Sequence, residues 1–261
     1  MHCQDILVER KNGIGRITLN RPETLNALRT QTLKEIAALL TEWSKDPSIG
    51  VIVLTGTGDK AFCVGGDISE MQNFGRSGGK AFSKLCLDLT KVLFRLPVPL
   101  IARVNGYCLG GGHELNVMCD ISIASDKAIF GQTGIKVGLL PVWSSPAILP
   151  RIIGEKKSRE MVFLGKKYTA HEALTMGLIN TVVPHDQLDQ ETDRWCQQIL
   201  EMSPQALRLT KKCLNWEWEQ RKPLFEEGAR LLSKTYLSEE FQEGTKAFFE
   251  KRKPDFMKFR K

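Results

Sequence analysis

No apolar run in this sequence approaches the ~20 residues that a helix needs to cross a bilayer. The opening residues Met1-His2-Cys3-Gln4-Asp5 lack the basic-then-apolar order of a secretory signal. The seven cysteines (Cys3, Cys63, Cys86, Cys108, Cys119, Cys196, Cys213) are odd in number, and no two stand in a C-x-x-C spacing. Reduced core thiols in a cytoplasmic protein are the expectation. Low-complexity segments and sequence repeats are missing. So are several motifs. Gly110-Gly111-Gly112 does not extend into the dinucleotide pattern G-x-G-x-x-G, and no phosphate loop G-x-x-x-x-G-K-[ST] occurs. His113-Glu114 does not open a zinc H-E-x-x-H, because Val117 stands at the second His. No G-x-S-x-G nucleophile elbow is found. No metal site is therefore expected.

What is there is an ordinary globular composition: 261 residues, 42% hydrophobic and 26% charged, which argues against a disordered, collagen-like or coiled-coil chain. That length admits one large domain or two small ones. Lys and Arg number 37 against 30 Asp and Glu, a formal charge of +7. Such a balance suits an anionic ligand: nucleic acid, an acidic membrane surface, or a phosphate-bearing small molecule.

Along the chain, Ile6–Glu9 and Ile14–Asn20 read as strands joined by the hairpin signal Asn12-Gly13. Thr30–Ser44 and Lys80–Leu96 read as amphipathic helices. Gly50–Thr55 and Leu100–Val104 are short apolar strands of the buried type. Asp120–Ser125 and Ala128–Phe130 are further short strands. Beyond about Gly154 the segments Glu155–Leu164, Thr169–Met176, Leu188–Met202, Pro204–Trp216, Pro223–Thr235 and Ser238–Glu250 read as helices, with Leu178–Val183 the only strand candidate. The fold class is α/β with a helical C-terminal part.

Two glycine turns, Cys63-Val64-Gly65-Gly66-Asp67 and Gly106–Gly112, each follow an apolar strand and precede a helix. Glycine lets a ligand approach the backbone closely. The first N–H groups of a helix are unpaired and favour negative charge. Two such turns brought together would aim two N–H groups at one oxygen, an oxyanion hole. Taken alone, a glycine turn between strand and helix is more often just a tight connection.

The run from Ile101 to Asp120, Ile-Ala-Arg-Val-Asn-Gly-Tyr-Cys-Leu-Gly-Gly-Gly-His-Glu-Leu-Asn-Val-Met-Cys-Asp, resembles the signature of the enoyl-CoA hydratase/isomerase (crotonase) superfamily. Leu19-Asn20-Arg21-Pro22 with Asn26-Ala27-Leu28, Ala61–Asp67, Phe130-Gly131-Gln132, Ala170–Leu178 and Lys251–Phe256 extend the likeness over nearly the whole chain. The resemblance implies a spiral of ββα units over residues 1–200 and a helical trimerisation region over residues 201–261, both parts of one superfamily unit. It also implies an acyl-CoA thioester substrate, a homotrimer or dimer of trimers, and no cofactor beyond the coenzyme A of the substrate.

Carried over by position, the Gly66 and Gly111 N–H groups form the oxyanion hole. Ala27 and Leu28 line the nucleotide and pantetheine. Lys253 and Phe256 complete the CoA site, often from a neighbouring subunit, or else belong to a solvated basic tail. Glu114 stands where hydratases of the family place a glutamate that exchanges a proton with water. A desolvated carboxyl group with a raised pKa suits that work, whereas an ordinary first-turn acid would be held by the helix dipole. His113 reads as structural.

The second hydratase glutamate is replaced by Gly134. Gln132-Thr133-Gly134 resembles instead the dihydroxynaphthoyl-CoA synthase and 2-ketocyclohexanecarboxyl-CoA hydrolase branch, some members of which bind bicarbonate there. Arg151–Glu160 and Thr235–Glu240 resemble that branch too, and Tyr236 falls on an active-site tyrosine. Tyr236 either donates a proton or packs with its hydroxyl at the surface. Pro141 replaces that branch's aspartate. Trp143 and Ser144 are expected to line the acyl pocket, where an indole would favour a flat or cyclic acyl group, although Trp143 could equally be core packing.

The leading expectation is reversible hydration of an enoyl-CoA by Glu114 with Tyr236 assisting. The alternatives are C–C cleavage of a β-oxoacyl-CoA, by ring opening or decarboxylation, and naphthoyl-CoA synthase-like chemistry. Some superfamily members bind RNA, but Thr30–Ile36 carries no basic stripe. Lys156-Lys157 and Lys211-Lys212 read as solvated faces, so nucleic acid is not the expected partner. Six basic residues (Lys251, Arg252, Lys253, Lys258, Arg260, Lys261) crowd the C-terminus, where CoA phosphates would lie.

Overall fold

A computed structural model describes residues 3–260. The chain opens with strands β1 (Ile6–Lys11) and β2 (Ile14–Leu19), helix α1 (Thr30–Trp43), strands β3 (Val51–Gly56) and β4 (Ala61–Cys63), and helices α2 (Ile68–Met71) and α3 (Arg76–Arg95). Next come β5 (Leu100–Val104), β6 (Tyr107–Leu109), α4 (Gly111–Val117), β7 (Ile121–Ser125) and β8 (Ile129–Gly131). The remainder is α5 (Ser145–Ile153), α6 (Glu155–Leu164), β9 (Lys167–Thr169), α7 (Ala170–Thr175), β10 (Thr181–Val183), α8 (Leu188–Leu200), α9 (Pro204–Leu214), α10 (Trp216–Thr235) and α11 (Glu239–Phe249).

The strands form a six-stranded sheet, β1-β2-β3-β5-β7-β10, and a four-stranded sheet, β4-β6-β8-β9. β1 and β2 form an antiparallel hairpin in the larger sheet, the pairs β3/β4, β5/β6 and β7/β8 each send one strand to each sheet, and the strands from β2 to β10 within the larger sheet run parallel. This is the spiral that the resemblance implied. Asn12 and Gly13 both have positive φ (52° and 82°), as a tight hairpin requires. β3 is buried at every position, which is why it reads as an unbroken apolar run.

Several sequence expectations need correction. The second half contains β9 as well as a strand at Thr181–Val183, so Leu178–Val183 is not its only strand. β4 leads into the first glycine segment and β6 lies inside the second, both too short for periodicity to reveal. The expected break before Pro223 does not occur: α10 runs through it. Trp218 stacks on Phe94 of α3 at 5.0 Å, and Phe225 meets the same ring edge-on at 5.9 Å. That packing on both sides of Pro223 outweighs the one lost hydrogen bond. Lys211 is not solvated. It is buried and donates to Val98 O at 2.8 Å and Asp120 Oδ2 at 2.6 Å.

Four cysteines (Cys63, Cys86, Cys108, Cys196) are buried free thiols and Cys213 is exposed. Among the described residues no helix is long and apolar enough to cross a membrane.

Candidate active site

β4 and β6 pair in parallel with Cys63 opposite Cys108. The two glycine turns therefore leave the same edge of the smaller sheet side by side. Their backbones touch. Gly65 has φ +100°, and a β-carbon there would stand 2.9 Å from Gly111 N. Only glycine fits that conformation and that contact. A β-carbon on Gly111 would stand 3.6 Å from Gly66 N. The N–H groups of Gly66 and Gly111 find no acceptor among the described residues. Their peptide units are nevertheless anchored. Gly65 O accepts from Leu28 N at 2.7 Å, and Gly110 O accepts from Glu114 N at 3.0 Å and Gln132 Nε2 at 3.3 Å. In a trans peptide the N–H points opposite the C=O, so each anchor also sets the direction of a free donor.

The Ala27-Leu28 segment is tied to the first turn. Asp67 caps α2, accepting from Ser69 N at 2.9 Å, and its Oδ2 pairs with Arg21 at 2.8 Å. Arg21 also donates to Ala27 O at 2.8 Å. Leu25 and Asn26 sit at φ 54° and 59°. Asn26 is held there by donating to Thr57 O and Ala61 O and by accepting from Arg21 N; asparagine tolerates this region better than most residues.

Glu114 lies in the first turns of α4 and is 4% exposed. Its Oε1 accepts from Ser144 N at 2.8 Å and Ser145 N at 3.0 Å. No donor of that kind meets Oε2 among the described residues. Burial pushes the carboxyl pKa up to about 7, against the opposing pull of the Ser144 and Ser145 hydrogen bonds. The N–H groups that hold it come from the start of α5 and not from its own helix.

A cavity of about 640 Å³ joins these parts. Gly66, Gly111, Glu114 and Tyr236 line it together with Ala27, Leu28, Gln132, Thr133, Gly134 and Trp143. The Trp143 indole donates to Cys86 O at 2.9 Å and Thr90 Oγ1 at 2.7 Å, so the ring is a fixed wall. Tyr236 is buried with no partner for its hydroxyl among the described residues; its ring packs edge-on against Phe74 and Phe82. The surface hydroxyl considered for Tyr236 is therefore excluded. Burial keeps this phenol well above its ordinary pKa, with Cys86 and Glu114 adding to the shift.

One expectation ends differently. Ser144 does not line the cavity; it is fully buried and serves Glu114 through its N–H and through Oγ, which donates to Glu114 O at 3.0 Å. Lys253 and Phe256 lie outside the cavity of the single chain. Much of the C-terminal charge is paired, Arg252 with Glu243 and Glu250, Lys258 with Glu243. Lys261 lies outside the described residues. Met71, Phe82, Cys86 and Leu232 line the apolar end and were not foreseen. Their only signal was helical periodicity, which does not separate a cavity wall from core.

Residues 9–259 match the family model described as enoyl-CoA hydratase/isomerase. Similar solved structures include an enoyl-CoA hydratase from Mycobacterium avium subsp. paratuberculosis K-10 (28% identity over 98% of this chain and 99% of that one, TM-score 0.87). Another is an enoyl-CoA hydratase from Bacillus anthracis (30% identity, 96% and 98% covered, TM-score 0.80). A third is an enoyl-CoA hydratase/isomerase from Pseudoalteromonas atlantica T6c (27% identity, 97% and 100% covered, TM-score 0.88).

Proposed function

The chain belongs to the enoyl-CoA hydratase/isomerase family, and from that premise we propose that it reversibly hydrates an enoyl-CoA thioester with Glu114 as its single acid–base group. The thioester oxygen sits between the Gly66 and Gly111 N–H groups. Water adds to the β-carbon while the Glu114 carboxylate takes its proton. The electron pair of the double bond moves onto the thioester as an enolate. Glu114 then returns the proton to the α-carbon, so the atoms of one water are added and the carboxylate is regenerated.

The supporting observation is the buried Glu114 carboxyl, poised near neutrality, in one cavity with two unpaired and anchored N–H groups. Fixed donors in a site shielded from water stabilise developing charge far more than water does; loss of one typically costs about 10²–10³ in rate. Gly134 supplies no second carboxylate, so the proton moves both ways through Glu114.

Ala27 and Leu28 lie along the CoA chain, and Lys253 and Phe256 reach it from a neighbouring subunit of a homotrimer or dimer of trimers in the cytoplasm. An acyl group that is flat or cyclic fits the fixed Trp143 wall. A panel of linear, cyclic and β-oxo CoA thioesters, read by product mass, tests the reading: enoyl substrates should gain one water, and Glu114→Gln should abolish the gain. Retention of most hydration by Glu114→Gln refutes it.

The unpartnered Tyr236 hydroxyl in the same cavity favours one second reading, cleavage of a β-oxoacyl-CoA. Ring opening would add one water and create a free carboxylate, and decarboxylation would lose carbon dioxide. Stimulation by bicarbonate would point to synthase-like chemistry at Gln132-Thr133-Gly134.

A further inference from the structure

We propose that Gln132, oriented by His113, is a positioning residue that aims the Gly111 N–H; this rests on the oxyanion-hole reading above. Gly110 C=O and Gly111 N–H belong to one planar peptide unit. Whatever holds the carbonyl therefore holds the N–H. The two candidate donors are held differently. Gly65 O, behind Gly66 N–H, takes a backbone bond from Leu28 N at 2.7 Å and only a long one from the Cys63 thiol at 4.0 Å. Gly110 O takes a backbone bond from Glu114 N and a second bond from the Gln132 side chain at 3.3 Å.

Gln132 is fully buried at the end of β8, whose last residue already fixes Gly110 by accepting its N–H at Gly131 O, 2.9 Å. The second N–H of the Gln132 amide faces His113 Nδ1 at 3.0 Å. Burial pushes the His113 pKa down to about 3, so the ring is neutral and one of its two nitrogens accepts. Turning the amide over would set Oε1 against Gly110 O, acceptor to acceptor, and lose that bond, so the nitrogen faces the carbonyl; the same nitrogen then faces His113, whose Nδ1 accepts. A carbonyl that accepts hydrogen bonds polarises its peptide and strengthens the N–H on the far side. Gln132 was expected to bind substrate and His113 to be structural. Here both act on the reaction through Gly111, from beneath the turn.

The test uses 4-(dimethylamino)cinnamoyl-CoA, a chromophore whose absorption moves to longer wavelength as its thioester oxygen accepts hydrogen bonds. Gln132→Met keeps length and removes the donor. The expected result is a kcat lower by about ten- to a hundredfold, short of losing a whole donor, with KM within about threefold. The red shift of the bound probe should fall by about 10–30% of that of the parent protein. An unchanged red shift with unchanged kcat overturns the proposal, as does a rise in KM alone, which would make Gln132 a substrate-binding residue. Absence of any red shift in the parent protein instead overturns the underlying oxyanion-hole reading. Should Gln132→Met fail to fold, His113→Leu leaves the amide but removes its acceptor. It should move kcat and red shift in the same direction by a smaller factor, and unchanged values there overturn the proposal equally.

Discussion

A carboxyl group that works alone leaves a pH signature that a pair does not. Glu114 has its pKa raised by burial to about 7. Hydration begins with Glu114 ionised, because it must accept a proton from water. Dehydration also begins with Glu114 ionised, because it must take the α-proton before returning it to the departing hydroxyl. Both directions therefore need the same form, and both should rise with pH through about 7 and then level. With that pKa the carboxylate fraction is about one-tenth at pH 6 and about nine-tenths at pH 8, so kcat/KM should rise about tenfold between them. Two carboxyl groups in opposite forms would instead give a bell. The Tyr236 phenol, held well above its usual pKa, adds no limb in this range, and neither does His113, whose pKa is about 3. The assay is the absorbance of the enoyl thioester followed in both directions from pH 5.5 to 9. A bell-shaped profile, or limbs of opposite slope in the two directions, would refute the single-carboxyl mechanism.

Glu114→Gln should stabilise the protein at alkaline pH. The folded pKa lies above the unfolded one, so the neutral acid's advantage is complete below about 4.5 and is lost as pH rises through about 7. Ionisation of the buried group then costs about 3 kcal/mol, and denaturant titrations at pH 8 and pH 4 should show the variant's gain at the higher pH only. Gly111→Ala should fold normally, because its β-carbon meets nothing closer than 3.5 Å, yet should lose about tenfold or more in kcat by crowding the oxyanion site. Gly112→Ala, one residue on, would drive its β-carbon into Cys63 O and should cost about 2 kcal/mol or more in thermal unfolding. Tyr236→Phe removes a buried hydroxyl with no partner among the described residues, so it should leave stability equal or raised by about 1 kcal/mol and leave hydration unchanged, while lowering any β-oxoacyl-CoA cleavage by about tenfold; unchanged cleavage would remove Tyr236 from that chemistry.

The elements most legible in sequence were those with long or regular patterns. β3 and β5 read correctly because strands buried on both faces are apolar at nearly every position. α6 was read to the residue. β4, β6 and β9 have three residues each, and no periodicity can be read from three positions. Their importance comes from pairing alone, since β4 and β6 bring the two glycine turns together.

By itself the sequence determined the chemical inventory: glycines at Gly65, Gly66, Gly110 and Gly111, a glutamate at 114, glycine rather than a second acid at 134, and the family those motifs mark. Tertiary structure decided what each residue does. Ser144 was expected at the acyl pocket, but the start of α5 turns its N–H onto Glu114. Gln132 lies behind the Gly110 carbonyl, a contact across 22 positions that no local spacing encodes. Lys253 and Phe256 stayed away from the cavity of a single chain. The physical reason is common to all three. Backbone propensities and motifs act over a few neighbouring residues, whereas desolvation, the aim of an N–H group and the pKa of Glu114 depend on which distant segments pack around it.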